Sequence, residues 1–293
     1  MNRPILLIDG NLMLFKSYYG SVYGGGLLKN SQGIETNAIH TFFLTFFKLI
    51  NLFNPINCYF AFDKGSKTPR HLAFSEYKQG RSETPESLFT QMEKVKQILT
   101  YANINWSQDY NYEADDLIAS LKKQILDQNP QAKIVIFSAD QDLLQLIDEN
   151  TIVVDTIKAE GPNIKNLDNF YDLHHIFPHQ VVDFKVLSGD KSDNIKIIAG
   201  LGLKGAQKLL EKYGNLENII ANSDQISGKI GLEIKEKKEK LLFFQNFITL
   251  YNTAKFDFNI FDNLDIQIND KLIATLEELE LKTVLKNFLN FRK

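Results

Sequence analysis

Acidic residues offer the first chemistry in this sequence, and the densest group stands in NYEADD (residues 111–116), which carries Glu113, Asp115 and Asp116. Carboxylates in a first helical turn are also favoured by exposed amides and the macrodipole, which accounts for one or two acids without any chemistry. More acids end short apolar runs elsewhere: Asp9 closes PILLID, Asp63 closes CYFAFD and Asp140 closes KIVIFSAD. Asp142 follows in SADQD, and Asp190 and Asp193 lie in GDKSDN. Ionised carboxylates gathered in one cleft shift one another's pKa unless cations neutralise them. Mg²⁺ takes oxygen ligands and keeps several waters, and two such ions about 4 Å apart clamp the attacking and leaving oxygens of a phosphoryl transfer. Taken singly, each acid also reads as a cap or a solvated surface charge; their convergence is what favours a metal site.

A basic constellation, Arg70, Lys78 and Arg81 with Tyr77 among them, lies in PRHLAFSEYKQGR. Basic groups interleaved with an aromatic suit a backbone phosphate and a stacked, unpaired base, although a solvated amphipathic helix has the same composition. In GLGLKGA (200–206) a Gly-x-Gly turn feeds a helix bearing Lys204, Lys208 and Lys212. Such a turn lets backbone amides approach a phosphate at the positive end of a helix, and it is equally an ordinary helix-to-helix connection. His174, His175 and His179 in LHHIFPHQ read as surface or packing residues, since Pro178 interrupts helical spacing.

These residues need a scaffold. The apolar runs ending at Asp9, Asp63 and Asp140 are short and rich in Ile, Val and Phe, as buried strands are. Amphipathic segments at 37–53, 87–102 and 113–128 read as helices between them, and NTIVVDT (150–156) as another strand. Strands alternating with helices predict an α/β fold with a mainly parallel sheet, whose ligand crevice lies beyond the carboxyl ends of the strands. From about Tyr171 the chain reads as mainly helical, and 256–293 as a strand-like patch followed by one helix at 272–289.

The 293 residues are 44% hydrophobic and 24% charged with a formal net charge of −3, ordinary values for a globular protein of one large or two small domains. The total does not advertise a nucleic-acid binder, but an acidic site and a basic groove can cancel in the sum. No apolar stretch reaches the roughly 18 residues of a membrane span, and residues 1–10 are too short for a secretory signal, so a cytoplasmic protein without a membrane partner is expected. The single cysteine, Cys58, excludes an intramolecular disulfide framework and reads as a small core residue.

LLIDGN, AFD, YKQGR, YEADD, SADQDLLQL, SGDKSDN and GLGLKGA occur in the order and approximate spacing of the bacterial 5′ to 3′ exonuclease and flap endonuclease family, which includes the N-terminal nuclease domain of DNA polymerase I. The sequence resembles that family over about residues 3–290, and in length it resembles a free-standing form. The resemblance implies a PIN-like catalytic domain over 1–170, with a helical arch at about 64–95, and a helix-hairpin-helix DNA-binding module with C-terminal helices over 171–293. It implies metal ligands at Asp9, Asp63, Glu113 and Asp115 for one ion and at Asp140, Asp142, Asp190 and Asp193 for the other, with Asp116 nearby. Lys78, Arg81 and Lys16 would act on the scissile phosphate. Arg70, Tyr77, Lys78, Arg81, Gly200, Gly202, Lys204 and Lys208 would contact DNA, and the hairpin would hold K⁺ through backbone carbonyls. The implied cofactor is Mg²⁺, with Mn²⁺ as a substitute. The implied partners are DNA with 5′ ends or flaps, RNA–DNA primers and a separate DNA polymerase, the protein itself being a monomer. Three positions depart from the usual pattern: Gln141 stands where Lys is usual, Lys16 where Arg is usual, and Ile195, Lys196, Ile197 and Ile198 where IPGV is usual.

Two other readings compete. IDGN and GDKSDN loosely resemble a haloacid-dehalogenase-like phosphatase, but that chemistry needs an Asp where Asn11 stands. A DNA-binding module without catalysis would gain nothing from acids massed beside phosphate.

Overall fold

The computed structural model describes residues 3–24, 27–65, 68–80 and 84–291. Its first part comprises β1 (Ile5–Asp9), α1 (Gly10–Tyr23), α2 (Asn37–Phe53), β2 (Cys58–Asp63), α3 (Pro69–Ala73), α4 (Glu86–Tyr101), β3 (Asn105–Asp109), α5 (Ala114–Gln128), β4 (Ile134–Phe137), β5 (Thr151–Lys158) and β6 (Gly161–Lys165). Helices follow: α6 (Leu167–His174), α7 (Val181–Ser188), α8 (Leu203–Tyr213), α9 (Leu216–Ala221), α10 (Lys229–Glu236), α11 (Lys238–Ile248), α12 (Asp270–Glu278) and α13 (Lys282–Phe291).

The strands form one sheet in the order β3-β2-β1-β4-β5-β6. The first five run parallel and β6 returns antiparallel on β5. The chain winds outward from β1 to β3 and then restarts on the other side at β4, so the winding reverses between β1 and β4. That reversal opens a crevice at the carboxyl ends of β1 and β4, the place where ligands of such sheets bind.

Because successive side chains point to opposite faces and both faces are covered, Ile5 to Ile8 of β1 are all apolar. Ile5 and Leu7 join Tyr59 and Leu117, Ile118 and Leu121 of α5 in one core, while Leu6 and Ile8 join Phe60, Phe62 and the α2 phenylalanines Phe42, Phe43 and Phe46 in another. Cys58 is fully buried in that second core, as its apolar surroundings predict. The mainly parallel α/β sheet is present as expected, and α2 keeps the expected bounds.

Several expectations are corrected. β3 (NWSQD) and β6 (GPNIK) are strands that no apolar run announces, because both lie at sheet edges where one side of the backbone is unpaired. Residues 256–268 form no strand; Leu264 N instead donates to the Ile56 carbonyl at 2.7 Å. The single helix read at 272–289 is two, broken where Glu280 takes a left-handed φ of 56°. The stretch assigned to an arch also divides. Its end is α4, whose Leu88, Met92 and Val95 are buried in the core, and α3 is a helix of only five residues; residues 66, 67 and 81–83 lie outside the described residues.

The packing crosses the boundary expected at residue 170. Helices α6 to α11 extend the core on the Leu7 side, but Leu272, Leu276, Val284 and Phe288 of α12 and α13 return to the α2 side. The Phe288 ring lies 4.9 Å from Phe47 and 5.4 Å from Phe43. No helix among the described residues is long and apolar enough to cross a membrane.

Candidate active site

The site is assembled at the winding reversal. α1 begins at Gly10 directly after β1; a Cβ there would lie 2.5 Å from the Phe62 ring and 2.9 Å from the Ala61 carbonyl, so only glycine lets the helix start so close to β2. Asp9 caps that helix, accepting from Leu12 N at 2.9 Å through Oδ1 and from Ser138 Oγ at 3.0 Å through Oδ2. Asp63, at the end of β2, accepts from Ala114 N at 2.8 Å and from Asn11 Nδ2 at 2.8 Å, which joins it to the N-termini of both α5 and α1.

The three acids of NYEADD have three fates. Glu113, the N-cap of α5, accepts from Thr68 Oγ1 (2.8 Å), Tyr77 OH (3.0 Å) and Lys78 Nζ (2.9 Å). Asp116 turns away: it takes both arms of the Arg70 guanidinium at 2.6 and 2.8 Å, and accepts from Glu113 N and Tyr251 N. Asp115 faces inward. It borders a cavity of about 180 Å³ lined also by Asp9, Asn11, Asp63, Lys78, Glu113 and Asp140, and a narrower hollow lined also by Asp142 and Asp193. Carboxylate oxygens of Asp142, Asp190 and Asp193 lie within 4.8 Å of one another, the second acid group. The structure thus brings eight of the nine predicted acids to one crevice, with Asp115 and Asp140 between the groups.

The electrostatics follow from burial and like charge. Burial, with Asp140 and Asp63 adding repulsion, raises Asp9 to about 7 against a lowering contribution from Leu12 N–H. Asp115 is pushed well up by burial and then by Asp116. Burial alone would raise Glu113 too, but the Lys78 ammonium and the Arg70 guanidinium hold it below the usual range. In the second group Lys185 Nζ sits 2.5 Å from Asp142 Oδ1 and 2.7 Å from Asp190 Oδ2. Asp190 is lowered by Lys185 despite its burial, whereas burial outweighs the same lysine at Asp142 and raises it to about 6.

An all-oxygen donor set that includes buried carboxylates with raised pKa suits hard divalent cations, which relieve that repulsion and need no nitrogen or sulfur ligands. His174 packs tilted on Phe170 at 4.4 Å, His175 edge-on to Tyr171 at 6.1 Å and His179 stacks on Phe177 at 5.8 Å, and none of the three lines the cavity of Asp9 and Asp115.

Three predicted roles are corrected, those of Asp116, Arg70 and Tyr77. Asp116 is not available to a metal, because a buried guanidinium occupies both its oxygens. Arg70 (3% exposed) and Tyr77 (5% exposed) are not a DNA-facing patch: their polar atoms point inward to Asp116 and Glu113, and Arg70 also donates to the Phe247 carbonyl. Lys16 donates to the Asp155 carbonyl at 2.8 Å and lines a separate hollow with Lys48. Lys78 does line the acid cavity. Arg81 lies outside the described residues. Gly200, Gly202, Lys204 and Lys208 are exposed at and beyond the start of α8. The sequence reading missed Lys185, Asn11, Ser138 and Thr68. Lys185 alone had a signal, as the one cation in VVDFKVL just before GDKSDN.

Residues 4–176 match the family model of the 5′-3′ exonuclease N-terminal resolvase-like domain, and residues 176–285 that of the 5′-3′ exonuclease C-terminal SAM fold. The chain therefore belongs to the 5′-3′ exonuclease family and is a nuclease. It is 37% identical over 292 residues to the 5′-3′ exonuclease of Mycoplasmopsis pulmonis (strain UAB CTIP), covering 98% of this chain and 94% of that protein. With DNA polymerase I of Bacillus subtilis (strain 168) it shares 32% identity over 293 residues, 97% of this chain but 32% of the polymerase's length. Among solved structures, the T5 5′-exonuclease with bound divalent metal ions (zinc) superposes with a TM-score of 0.67 at 19% identity, covering 98% of this chain and 100% of that one. Flap endonuclease-1 from Methanococcus jannaschii gives 0.61 at 16% identity, covering 99% and 92%. At these identities the structural likeness establishes the common fold.

Proposed function

We propose that the protein is a Mg²⁺-dependent 5′ to 3′ exonuclease and 5′ flap endonuclease that uses two ions on DNA and on RNA primers. The observation that carries this reading is the convergence of Asp9, Asp63, Glu113, Asp115 and Asp140 on one cavity at the winding reversal, with Asp142, Asp190 and Asp193 adjoining it. The first set would hold one ion and the second set the other, with Asp140 between them. When bound, the ions would neutralise the carboxylates, polarise the scissile phosphate and lower the pKa of an attacking water.

The chain's own residues position that chemistry. Asn11, Ser138 and the α5 amide of Ala114 orient Asp63 and Asp9. Arg70 fixes Asp116 and with it the start of α5. Lys78, on a turn with a left-handed φ of 56°, carries an ammonium that can pass from Glu113 to a phosphate oxygen as a charge-assisted hydrogen bond. Arg81, by the family resemblance, would add a second cation there. Lys204 and Lys208, with the turn at Gly200 and Gly202, would hold duplex phosphates. Products would carry a 5′ phosphate and a 3′ hydroxyl. The protein would work as a cytoplasmic monomer beside a separate polymerase, with Mn²⁺ able to replace Mg²⁺.

The test is a 5′ flap duplex labelled at each end in turn, incubated with Mg²⁺ or chelator beside the Asp115→Ala variant. Junction cleavage that requires both metal and Asp115 is the expected result. Binding without cleavage in Mg²⁺ and in Mn²⁺ would replace the enzyme with a binding module.

A further inference from the structure

The loop joining α7 to α8 carries the departure at 195–198, and its interior is stapled by side chains. Asp190 and Ile195 exchange backbone hydrogen bonds at 2.8 and 2.7 Å, closing a small antiparallel bridge. Across it runs Lys196, whose aliphatic stem lies over Gly189: a Cβ on that glycine, which has a φ of 87°, would come within 2.9 Å of Lys196 Cδ. The ammonium then donates to the Ser188 carbonyl at 2.9 Å and to the Leu201 carbonyl at 2.7 Å, one at each end of the loop. A second lysine, Lys237, donates to the Ile197 carbonyl at 2.8 Å and to Glu233 at 2.8 Å, and Glu233 accepts from Ala199 N at 2.9 Å.

Converging main-chain carbonyls are what holds a dehydrated K⁺ ion. Here the Ser188 and Leu201 oxygens face an ammonium of the same charge that is covalently attached, so an added K⁺ ion would have to displace a tethered competitor. The K⁺ site implied by the family resemblance does not fit these carbonyls. An ammonium has three donors, of which the carbonyls take two, and the Lys196 side chain is exposed beside Gly200 and Gly202.

We infer that Lys196 is the built-in cation of this hairpin: its ammonium, seated on the Ser188 and Leu201 carbonyls, takes the place of an alkali-metal ion and offers its third N–H to a backbone phosphate of duplex DNA. The side chain does so at the position where a proline is usual in the resembling family, and proline has no cation to offer. The inference rests on the DNA-binding reading above.

Binding of a fluorescent blunt duplex is measured by anisotropy in chelator, at equal ionic strength in KCl and in tetramethylammonium chloride, with flap cleavage in Mg²⁺ as a separate control. Wild-type affinity should agree between the two salts within about twofold, and Lys196→Gln should flatten the slope of log K against log salt by about one unit, while Lys196→Arg keeps it. Thermal midpoints of the three proteins show that all are folded. A wild type that loses affinity several-fold in tetramethylammonium, or a Lys196→Gln slope equal to wild type while flaps are still cleaved, would overturn this inference alone. A wild type that holds no duplex in either salt and cleaves no flap would overturn it together with the DNA-binding reading.

Discussion

The two acid groups lie side by side yet solve the problem of massed negative charge differently. In the first, Lys78 and Arg70, both from outside the sheet, pair with Glu113, and burial leaves Asp9 and Asp115 with raised pKa values. In the second, Lys185 stands on α7 between Asp142 and Asp190 and bonds to both. The cations of the first group, Lys78 and Arg70, thus pair with Glu113 at one side and leave Asp9 and Asp115 uncompensated, whereas the cation of the second group bridges two of its acids. A divalent ion entering the second group must push a lysine aside, so the first group should bind metal more tightly.

The largest effect that would sharpen this contrast comes from Asp115, which borders both groups. Asp115→Asn should lower the cleavage rate by on the order of 10²- to 10³-fold or more, the scale of losing one transition-state contact, while raising the thermal midpoint in chelator because a repelling buried charge is gone. A variant that cleaves normally would break the idea that one carboxylate serves both groups.

Next comes Lys185→Met, which leaves Asp142 and Asp190 without their counter-ion. Removing one partner of a buried pair costs about 3–5 kcal/mol, and because these side chains keep some solvent contact the loss should fall at or below the low end of that range. Thermal unfolding in chelator should show it, and saturating Mg²⁺ should restore most of it. If Mg²⁺ restores nothing, the second group is not a cation site.

A third effect is the pH dependence of Asp9, comparable in size to the loss at Lys185 and visible only as pH is varied. Its native value of about 7 lies above the unfolded value near 3.8, so the native state binds the proton more tightly. The stability this gives is complete below about pH 4 and is lost as pH rises through about 7. Asp9→Asn removes the dependence, so in chelator the variant should gain thermal midpoint over wild type between pH 5 and pH 8, and Mg²⁺ should close the gap. Parallel midpoints across that range would show that Asp9 is not strained.

The same contrast explains what was legible in the sequence. Asp9, Asp63 and Asp140 could be aimed at one crevice because β1, β2 and β4 are buried on both faces and so read as apolar runs. β3 and β6 gave no such signal, because edge strands tolerate NWSQD and GPNIK. Residue types without directions misled at Arg70 and Tyr77: a basic residue near an aromatic has the same composition whether it meets a phosphate or, as here, a buried Asp116 and Glu113. Lys185 was overlooked because its partners lie 43 and 5 residues away, the first within reach only once the loop after β4 meets α7. The break at Glu280 lacked the glycine or proline that usually marks one.

The return of α12 and α13 to the α2 side gives this protein a particular order of assembly. Phe288 and Val284 complete the packing of Phe43 and Phe47, residues made some 240 positions earlier. During synthesis at about 5–20 residues per second, the first half of the sheet thus emerges with part of its aromatic face uncovered until α12 and α13 have been made. The nuclease layer and the helical module between its two parts must then mature together once α12 and α13 have been made, and a chain lacking 270–291 would present Phe43 and Phe47 to chaperones rather than yield a smaller working domain.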